Sequence, residues 1–484
     1  MGVLGVLAAL TLLIVFAFRG WSILLLAPGA ALVAALISGE PLLAHWTYTF
    51  MNGAARFIAQ FFPLFLLGAL FGKLMEDSGS VSTIAHFMTQ RLGARHALLA
   101  VVLAGGLATY GGVSLFVVFF VLAPMAQSLF KAAVIPRRLM PAAIVLGTST
   151  FTMSALPGTP SIQNAIPMPY LGTTLFAAPG LGIIASAVML VFGMWWLKRA
   201  EAAAKRKNEP FGEGAIADAE CIANDQLIRG RATTAHEFDT AEITHGEHSK
   251  NPPSITLAFL PMVIVISVNF LTALFILPRL DFSFLARKEW GASSFSEVGG
   301  IWSIVIALAS AIFILILINR KRLPNLRETI DAGANASVLP VLTVASLVGF
   351  GAVIAALPAF TVVRDWVLNL GGGPLVSLAA ATNILSAVTG SASGGLSIAL
   401  ESLGSTYLNL AQLHGIEPAL LHRVAVIASG TLDTLPHNGA IVTLLAVCQS
   451  THRESYLDVI IVGIIGPIIA LTVVIFLGAW LGSF

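Results

Sequence analysis

Four long apolar stretches of this chain are each broken midway by glycine, proline and hydroxyl residues, and that pattern restricts the fold more than any other feature. Around 97–130 and 374–411 the interruptions are TYGGVS, Thr109 to Ser114, and TGSASGGLS, Thr389 to Ser397. Around 139–166 and 420–447 they are SALPGTPSIQN, Ser154 to Asn164, and DTLPHNGAI, Asp433 to Ile441. Such residues free backbone N–H and C=O groups that lipid cannot satisfy, so the breaks must face protein or a water-filled cavity. The membrane setting follows from composition: of 484 residues 57% are hydrophobic and 10% charged, with a mean hydropathy of +0.89. A water-soluble globule is excluded.

The uninterrupted stretches fit a ruler of about 20 apolar residues per crossing helix. They fall near 3–18, 21–38, 57–75 and 171–197 in the first half, and near 255–277, 299–318, 338–357 and 457–482 in the second. The N-terminal run has no positive charge ahead of it and no small-residue cleavage site behind it, so it is expected to stay as a transmembrane helix. A formal charge of +2 implies no nucleic-acid partner. Cys221 and Cys448 stand in no metal-ligand or disulfide spacing and are expected to be free thiols.

The interruptions repeat. GGVS begins at Gly111 and GGLS at Gly394, 283 residues apart, and Gly68 of LFLLGALFGKL falls on Gly351 of VGFGAVIAAL at the same offset. Pro157 of ALPGTPSI pairs with Pro436 of TLPHNGAI at an offset of 279. Two related halves, 1–197 and 254–484, are therefore expected around a polar linker at 198–253, the alternative being chance likeness between apolar segments. Each glycine-rich interruption is taken as the tip of a re-entrant hairpin and each proline-rich one as a single broken span, which gives about five crossings per half. Placing Lys198, Arg199 and the basic run Lys205, Arg206, Lys207 in the cytoplasm brings Arg91, Arg137, Arg138, Arg320, Lys321 and Arg322 to the same side. It leaves Arg56, Arg279, Arg287, Lys288 and Arg364 outside, with both termini. The expected fold is an all-α polytopic membrane protein of two inverted-topology repeats, each with a re-entrant hairpin.

Inverted halves around a midplane site are a carrier's design. Half-helix N-termini at the breaks point free N–H groups at the cavity and suit an anionic substrate. The expected substrate-binding residues are Thr109, Tyr110, Gly111, Gly112 and Ser114 of the first hairpin and Thr152, Ser154, Gly158, Thr159, Gln163 and Asn164 of the first break. From the second hairpin and break come Ser391, Ser393, Gly394, Gly395, Ser397, Thr434, His437 and Asn438. The alternative for each hydroxyl is that it only satisfies the broken backbone.

An ionisable group at membrane depth defaults to function, which makes Asp433 the expected proton carrier, with His437 sharing the proton or binding substrate. The competing readings are an Asp433 N-cap on the following half-helix and a structural His437. Glu401 is the reserve proton carrier, whereas Glu76 and Asp77 are expected as solvated caps at a cytoplasmic helix end. No cofactor motif is present. His236, His245 and His248 in the linker lack HExxH spacing, which speaks against a metal site.

GALFGKLMEDSG (Gly68 to Gly79), the glycine-bearing hairpins and the paired breaks resemble the gluconate permease (GntP) family of the ion transporter superfamily, over nearly the whole chain except about 200–253. The resemblance implies scaffold and transport domains and proton-coupled uptake of sugar acids or short hydroxy acids into a bacterial cytoplasm. Sugar-acid members carry an acidic residue beside the valine of the first hairpin, where this chain has Gly112 before Val113. A small hydroxy monocarboxylate resembling 3-hydroxybutyrate is thus expected ahead of gluconate. Sodium-coupled di- or tricarboxylate transport is the alternative, and a homodimer is left open. A membrane hydrolase built on Ser429 or Ser393 with His437 has no GxSxG signature, and no nucleotide-binding loop supports a pump.

Overall fold

The computed structural model describes residues 2–18, 21–211, 249, 251–368, 371–436 and 438–484. His437, Cys221 and the three linker histidines lie outside them. The first half opens with α1 (Gly2–Phe18) and α2 (Ile23–Ser38), packed on each other. A long helix, α3 (Leu42–Asp77), ends at Gly79, whose φ of 76° stops the helix in a left-handed turn. Helix α4 (Ser80–Leu92) then meets α5 (Ala97–Tyr110) after a bend of 100°. The outgoing hairpin arm is α6 (Leu115–Ala133). The first broken span follows as α7 (Met140–Thr148) and α8 (Phe151–Ser154), a non-helical stretch, and the short helices α9 (Ile162–Ala165) and α10 (Pro167–Leu171). Helix α11 (Pro179–Arg206) closes the half.

The second half runs through the same order. Helices α12 (Ile255–Arg279) and α13 (Phe295–Asn319) precede a long helix, α14 (Leu326–Ala356), and a short one, α15 (Phe360–Leu368). A hairpin of α16 (Gly373–Thr389) and α17 (Ala392–His414) is followed by α18 (Pro418–Thr431), a break, α19 (Gly439–Val447) and α20 (His452–Leu481). Seven of the described helices are long and apolar enough to cross a membrane, and each expected uninterrupted span has a counterpart among the helices.

Lipid is as apolar as leucine, so close contact between helices has to come from small residues that let backbones approach. The central pair, α3 and α14, meets this way: a Cβ on Gly53 would stand 2.8 Å from Ala352 Cβ, and one on Gly349 would stand 2.8 Å from the Phe50 carbonyl oxygen. Around this pair the halves interleave, with α2 on α14 and α13 on α3. The short post-break helices cross over as well: α10 packs on α17, and α19 packs on α6. Each break is thereby held against the hairpin of the other half.

Two local expectations need correction. Gly394 and Gly395 do not form the tip of the second hairpin; it turns at Gly390, with φ 64°, and both glycines lie in the first turn of α17. There they let the arms touch, since a Cβ on Gly395 would fall 2.2 Å from the Ser386 nitrogen. Glu76 and Asp77 are not solvated caps. Both are buried beside Lys73, whose Nζ lies 3.0 Å from Asp77 Oδ1 and 3.5 Å from Glu76 Oε2, and Thr329 of α14 donates to Asp77 Oδ2 at 2.8 Å. The packing of α14 over the end of α3 excludes the water that the sequence reading assumed.

Candidate functional site

The first hairpin turns through Gly111–Ser114, where Gly112 takes a φ of 92° that other residues adopt only with strain. A Cβ there would also approach Pro160 Cγ of the first break to 3.1 Å. Tip and break are in contact. The Tyr110 hydroxyl donates to the Pro157 carbonyl at 3.0 Å, and Thr109 donates to the Gly105 carbonyl at 2.8 Å and to Thr152 Oγ1 at 3.1 Å. Ser114 is the N-cap of α6, but its hydroxyl caps nothing. The first turn of that helix therefore keeps N–H groups with no partner inside the helix.

The first break is organised by Ser161, which caps α9 by accepting from the Asn164 nitrogen at 3.3 Å and donates to the Met153 carbonyl at 2.7 Å. A cavity of about 200 Å³ lies between this break, the first hairpin tip and the two long helices. Its wall comprises Leu64, Phe65, Gly68 and Ala69 of α3, Ala336, Ser337, Pro340, Thr343 and Val344 of α14, and Thr148 and Met153 beside the break. Thr109, Gly112 to Phe116 and Pro160 to Gln163 complete it, with Ser393 reaching in from the second hairpin. None of these lining residues is charged.

Of the residues singled out in the sequence, the structure brings Thr109, Gly112, Ser114, Gln163 and Ser393 to the cavity. The other described ones do not line it. Gly111 faces Met262 of α12, and Gly158, with φ 78°, donates its N–H to the Leu175 carbonyl at 3.0 Å. Ser154 donates back to the Thr150 carbonyl at 3.0 Å, Thr152 to the Gly147 carbonyl at 2.7 Å, and the Thr159 hydroxyl is buried with no partner among the described residues. Asn164 is fully buried, its amide taken up by donation to the Thr159 and Leu175 carbonyls, both at 3.1 Å, and by acceptance from His422 and Arg423 of α18. It faces away from the cavity because α18 packs against the break.

The second hairpin and second break form one network. Asp433 Oδ1 accepts from the Ala392 backbone N–H at 2.8 Å and from Asn438 Nδ2 at 2.9 Å. Asn438 also donates to the Gly390 carbonyl at 2.9 Å, and its own Oδ1 accepts from the Ala440 and Ile441 nitrogens at 2.7 and 3.4 Å. The N-cap of α19 is thus Asn438, not Asp433, and Asp433 caps the hairpin helix α17 instead. Ser391 assists by accepting from Gly394 at 3.2 Å. Ser397 donates to the Ser393 carbonyl at 2.7 Å, and Thr434 is buried against Gly463 with its hydroxyl unpartnered among the described residues. Glu401 lies 3.8 Å from Arg56 of α3 and accepts from the Tyr170 hydroxyl at 3.0 Å, so it joins three elements. The Ser429 hydroxyl is buried and donates to the Val426 carbonyl at 2.8 Å, and His437, its expected base, lies outside the described residues.

Sequence reasoning missed Thr148, Ser161, Ser337 and Thr343. The last is the most informative: buried in α14 at the cavity wall, its hydroxyl has no partner among the described residues, although a mid-helix threonine ordinarily bonds back to a carbonyl one turn earlier. Ser337, Pro340 and Val344 share one helical face, and a serine and a proline on such a stripe of an apolar span were the available signal.

A family model described as GntP family permease matches residues 1–220. The chain is 40% identical over 467 residues to the uncharacterized transporter YxjC of Bacillus subtilis (strain 168), a match covering 95% of each chain. It is 31% identical over 141 residues to the high-affinity gluconate transporter of Escherichia coli (strain K12), covering 28% of this chain and 30% of that one. Among solved structures, MtrF of Neisseria gonorrhoeae, described within a class of antimetabolite efflux pumps, superposes with a TM-score of 0.54 at 14% identity over 90% of this chain and 85% of its own. The YdaH transporter of Alcanivorax borkumensis gives 0.52 at 16% identity over 91% and 89%. At these identities the two structures share the fold alone.

Proposed function

The chain belongs to the GntP family of permeases, membrane transporters and not enzymes, and on that premise we propose that it is a secondary carrier bringing a small hydroxy monocarboxylate into the cell with protons. The observation that carries this reading is the cavity with the uncapped N-terminus of α6 in its wall. A helix N-terminus presents free N–H groups and roughly half a positive charge, which suits a carboxylate where no charged side chain is at hand. Ser114, Gln163, Ser393 and Thr343 offer hydrogen bonds to a hydroxyl. Thr109, Thr148, Ser161 and Ser337 spend their hydroxyl protons on backbone carbonyls, and the remaining side chains of the wall, among them Leu64, Phe65, Val113, Leu115, Phe116, Ile162 and Val344, are apolar. A sugar acid hydroxylated along its length would press several hydroxyls against it unpaired, each costing about 1–3 kcal/mol. A short acid with an apolar end, such as 3-hydroxybutyrate, fits better.

The recurring element order of 1–197 and 254–484, and the crossing-over of α10 and α19 between halves, support an inverted repeat with a re-entrant hairpin in each half. In this reading the linker 198–253 is cytoplasmic, both termini are outside, and the membrane is the bacterial inner membrane. Rocking of the halves exposes the cavity alternately to each side. Asp433 is the proposed proton carrier. Its Oδ2 makes no hydrogen bond among the described residues and is available to a proton, while Oδ1 holds the N-terminus of α17. A charge-assisted bond is roughly twice as strong as a neutral one, so protonation loosens the hairpin and ties ion uptake to its movement.

Uptake into proteoliposomes tests the proposal. Labelled 3-hydroxybutyrate should enter saturably and accumulate under an inward proton gradient. Accumulation driven by sodium alone, or a preference for gluconate or for di- and tricarboxylates, would overturn the corresponding part.

A further inference from the structure

Arg423 of α18 is fully buried, and among the described residues no carboxylate lies within ion-pair distance of it. Four of its five N–H donors go to backbone carbonyls, and the fifth goes to the side chain of Asn164. Nε donates to the Ala177 carbonyl at 3.0 Å, Nη1 to the Ala155 carbonyl at 3.1 Å, and Nη2 to Ala177 at 2.6 Å and Leu175 at 3.4 Å. The Ala155 carbonyl is freed by the first break and those of Leu175 and Ala177 belong to the non-helical stretch between α10 and α11, in a setting where water is not available to pair them. A planar fork serves three carbonyls at once, which a lysine ammonium cannot do in the same geometry. Gly182 makes the approach possible: a Cβ there would lie 2.6 Å from the Ala155 oxygen and 3.3 Å from Arg423 Nε.

The same guanidinium reaches toward the cavity through one side chain. Nη1 donates to Asn164 Oδ1 at 3.4 Å, an oxygen that His422 Nε2 also contacts at 3.1 Å, while His422 Nδ1 pairs with Thr173 Oγ1 at 2.6 Å. With its oxygen fixed, Asn164 points its amide nitrogen at the Thr159 and Leu175 carbonyls and ties the break to the stretch that precedes α11. Gln163, its neighbour in the chain, lines the cavity together with Ser161 and Ile162.

We propose that Arg423, acting through Asn164, is a positioning residue for the substrate site: a helix of the second half sets the shape in which the first break presents Ser161, Ile162 and Gln163. The proposal rests on the assignment of the cavity as the substrate site. It adds that affinity is controlled from a residue that never touches the substrate.

The test combines two readouts on the full chain in detergent and in proteoliposomes. Hydrogen–deuterium exchange of Arg423→Lys, without substrate, should speed up in residues 155–178 and nowhere else; unchanged protection there would overturn the proposal whether or not the cavity binds anything. Uptake of labelled 3-hydroxybutyrate should show the half-saturation concentration raised about tenfold with the maximal rate nearly kept. That rise should shrink to less than twofold in a Gln163→Ala background, as expected when two residues act through one another. A rise of equal size in both backgrounds, or a fall in maximal rate alone, would mean a general structural role. If Arg423→Lys does not fold, Asn164→Ala cuts the link while leaving the three carbonyls paired and carries the same comparison. Wild-type protein that takes up no hydroxy acid would defeat the substrate reading, and the exchange measurement would still decide the brace.

Discussion

Asp433 Oδ1 and the backbone nitrogen of Ala392 lie 2.8 Å apart, so a carboxylate in the second break closes the N-terminus of the outgoing arm of the second hairpin. The first hairpin has no equivalent: Ser114 leaves α6 uncapped at the cavity. One helix end is held by a carboxylate of the protein and the other stands uncapped at the cavity.

Asp433→Asn preserves an oxygen that can accept from Ala392 but removes the group that binds a proton. Accumulation of labelled substrate under a proton gradient should be lost, while exchange of internal for external substrate continues. Retained accumulation would remove Asp433 from the coupling mechanism.

Thr343→Val keeps the shape of the side chain and deletes a buried hydroxyl that has no partner among the described residues. The melting temperature should hold or rise, because an unsatisfied polar atom is gone. If substrate pairs with that hydroxyl, the half-saturation concentration rises about tenfold, equivalent to about 1.4 kcal/mol. Uptake kinetics beside a thermal melt check both halves of the statement.

Lys73→Met removes the cation that Asp77 and Glu76 share in a dry site, and breaking such a pair costs about 3–5 kcal/mol. The pair Arg327–Asp331, 3.6 Å apart with side chains 92% and 64% exposed, is the control, and Arg327→Ala should cost no more than about 1 kcal/mol. Denaturation of the purified protein separates the two. Comparable losses would show that the Lys73 cluster is hydrated.

Gly395→Ala would drive a methyl to 2.2 Å from the Ser386 nitrogen and wedge the arms of the second hairpin, at about 1–3 kcal/mol or more. Gly68→Ala meets nothing within 4 Å and projects into the cavity. The first should lower folded yield. The second should leave stability alone and discriminate against longer substrates in a competition uptake assay.

Much of this architecture was legible in the linear chain, because the governing rules are local. A span needs a run of apolar residues, and glycine, proline and hydroxyls at membrane depth mark where the helix must open, so the broken stretches at 111–114, 155–161 and 432–436 could be read directly. The same logic singled out a wider set of polar and glycine residues, of which Thr109, Gly112, Ser114, Gln163 and Ser393 line the cavity and the other described ones do not. What the sequence could state was that freed backbone groups require partners. Which partners they find is decided by packing between segments far apart in the chain. Arg423 serves the carbonyl of Ala155 across 268 positions, and Asp433 serves Ala392 across 41 instead of capping the helix beside it. Lys73, Glu76 and Asp77 had the spacing of a solvated helix end until α14 covered them. A hydrogen bond is short and directional, so only the folded arrangement of helices determines which donor stands within reach of which acceptor.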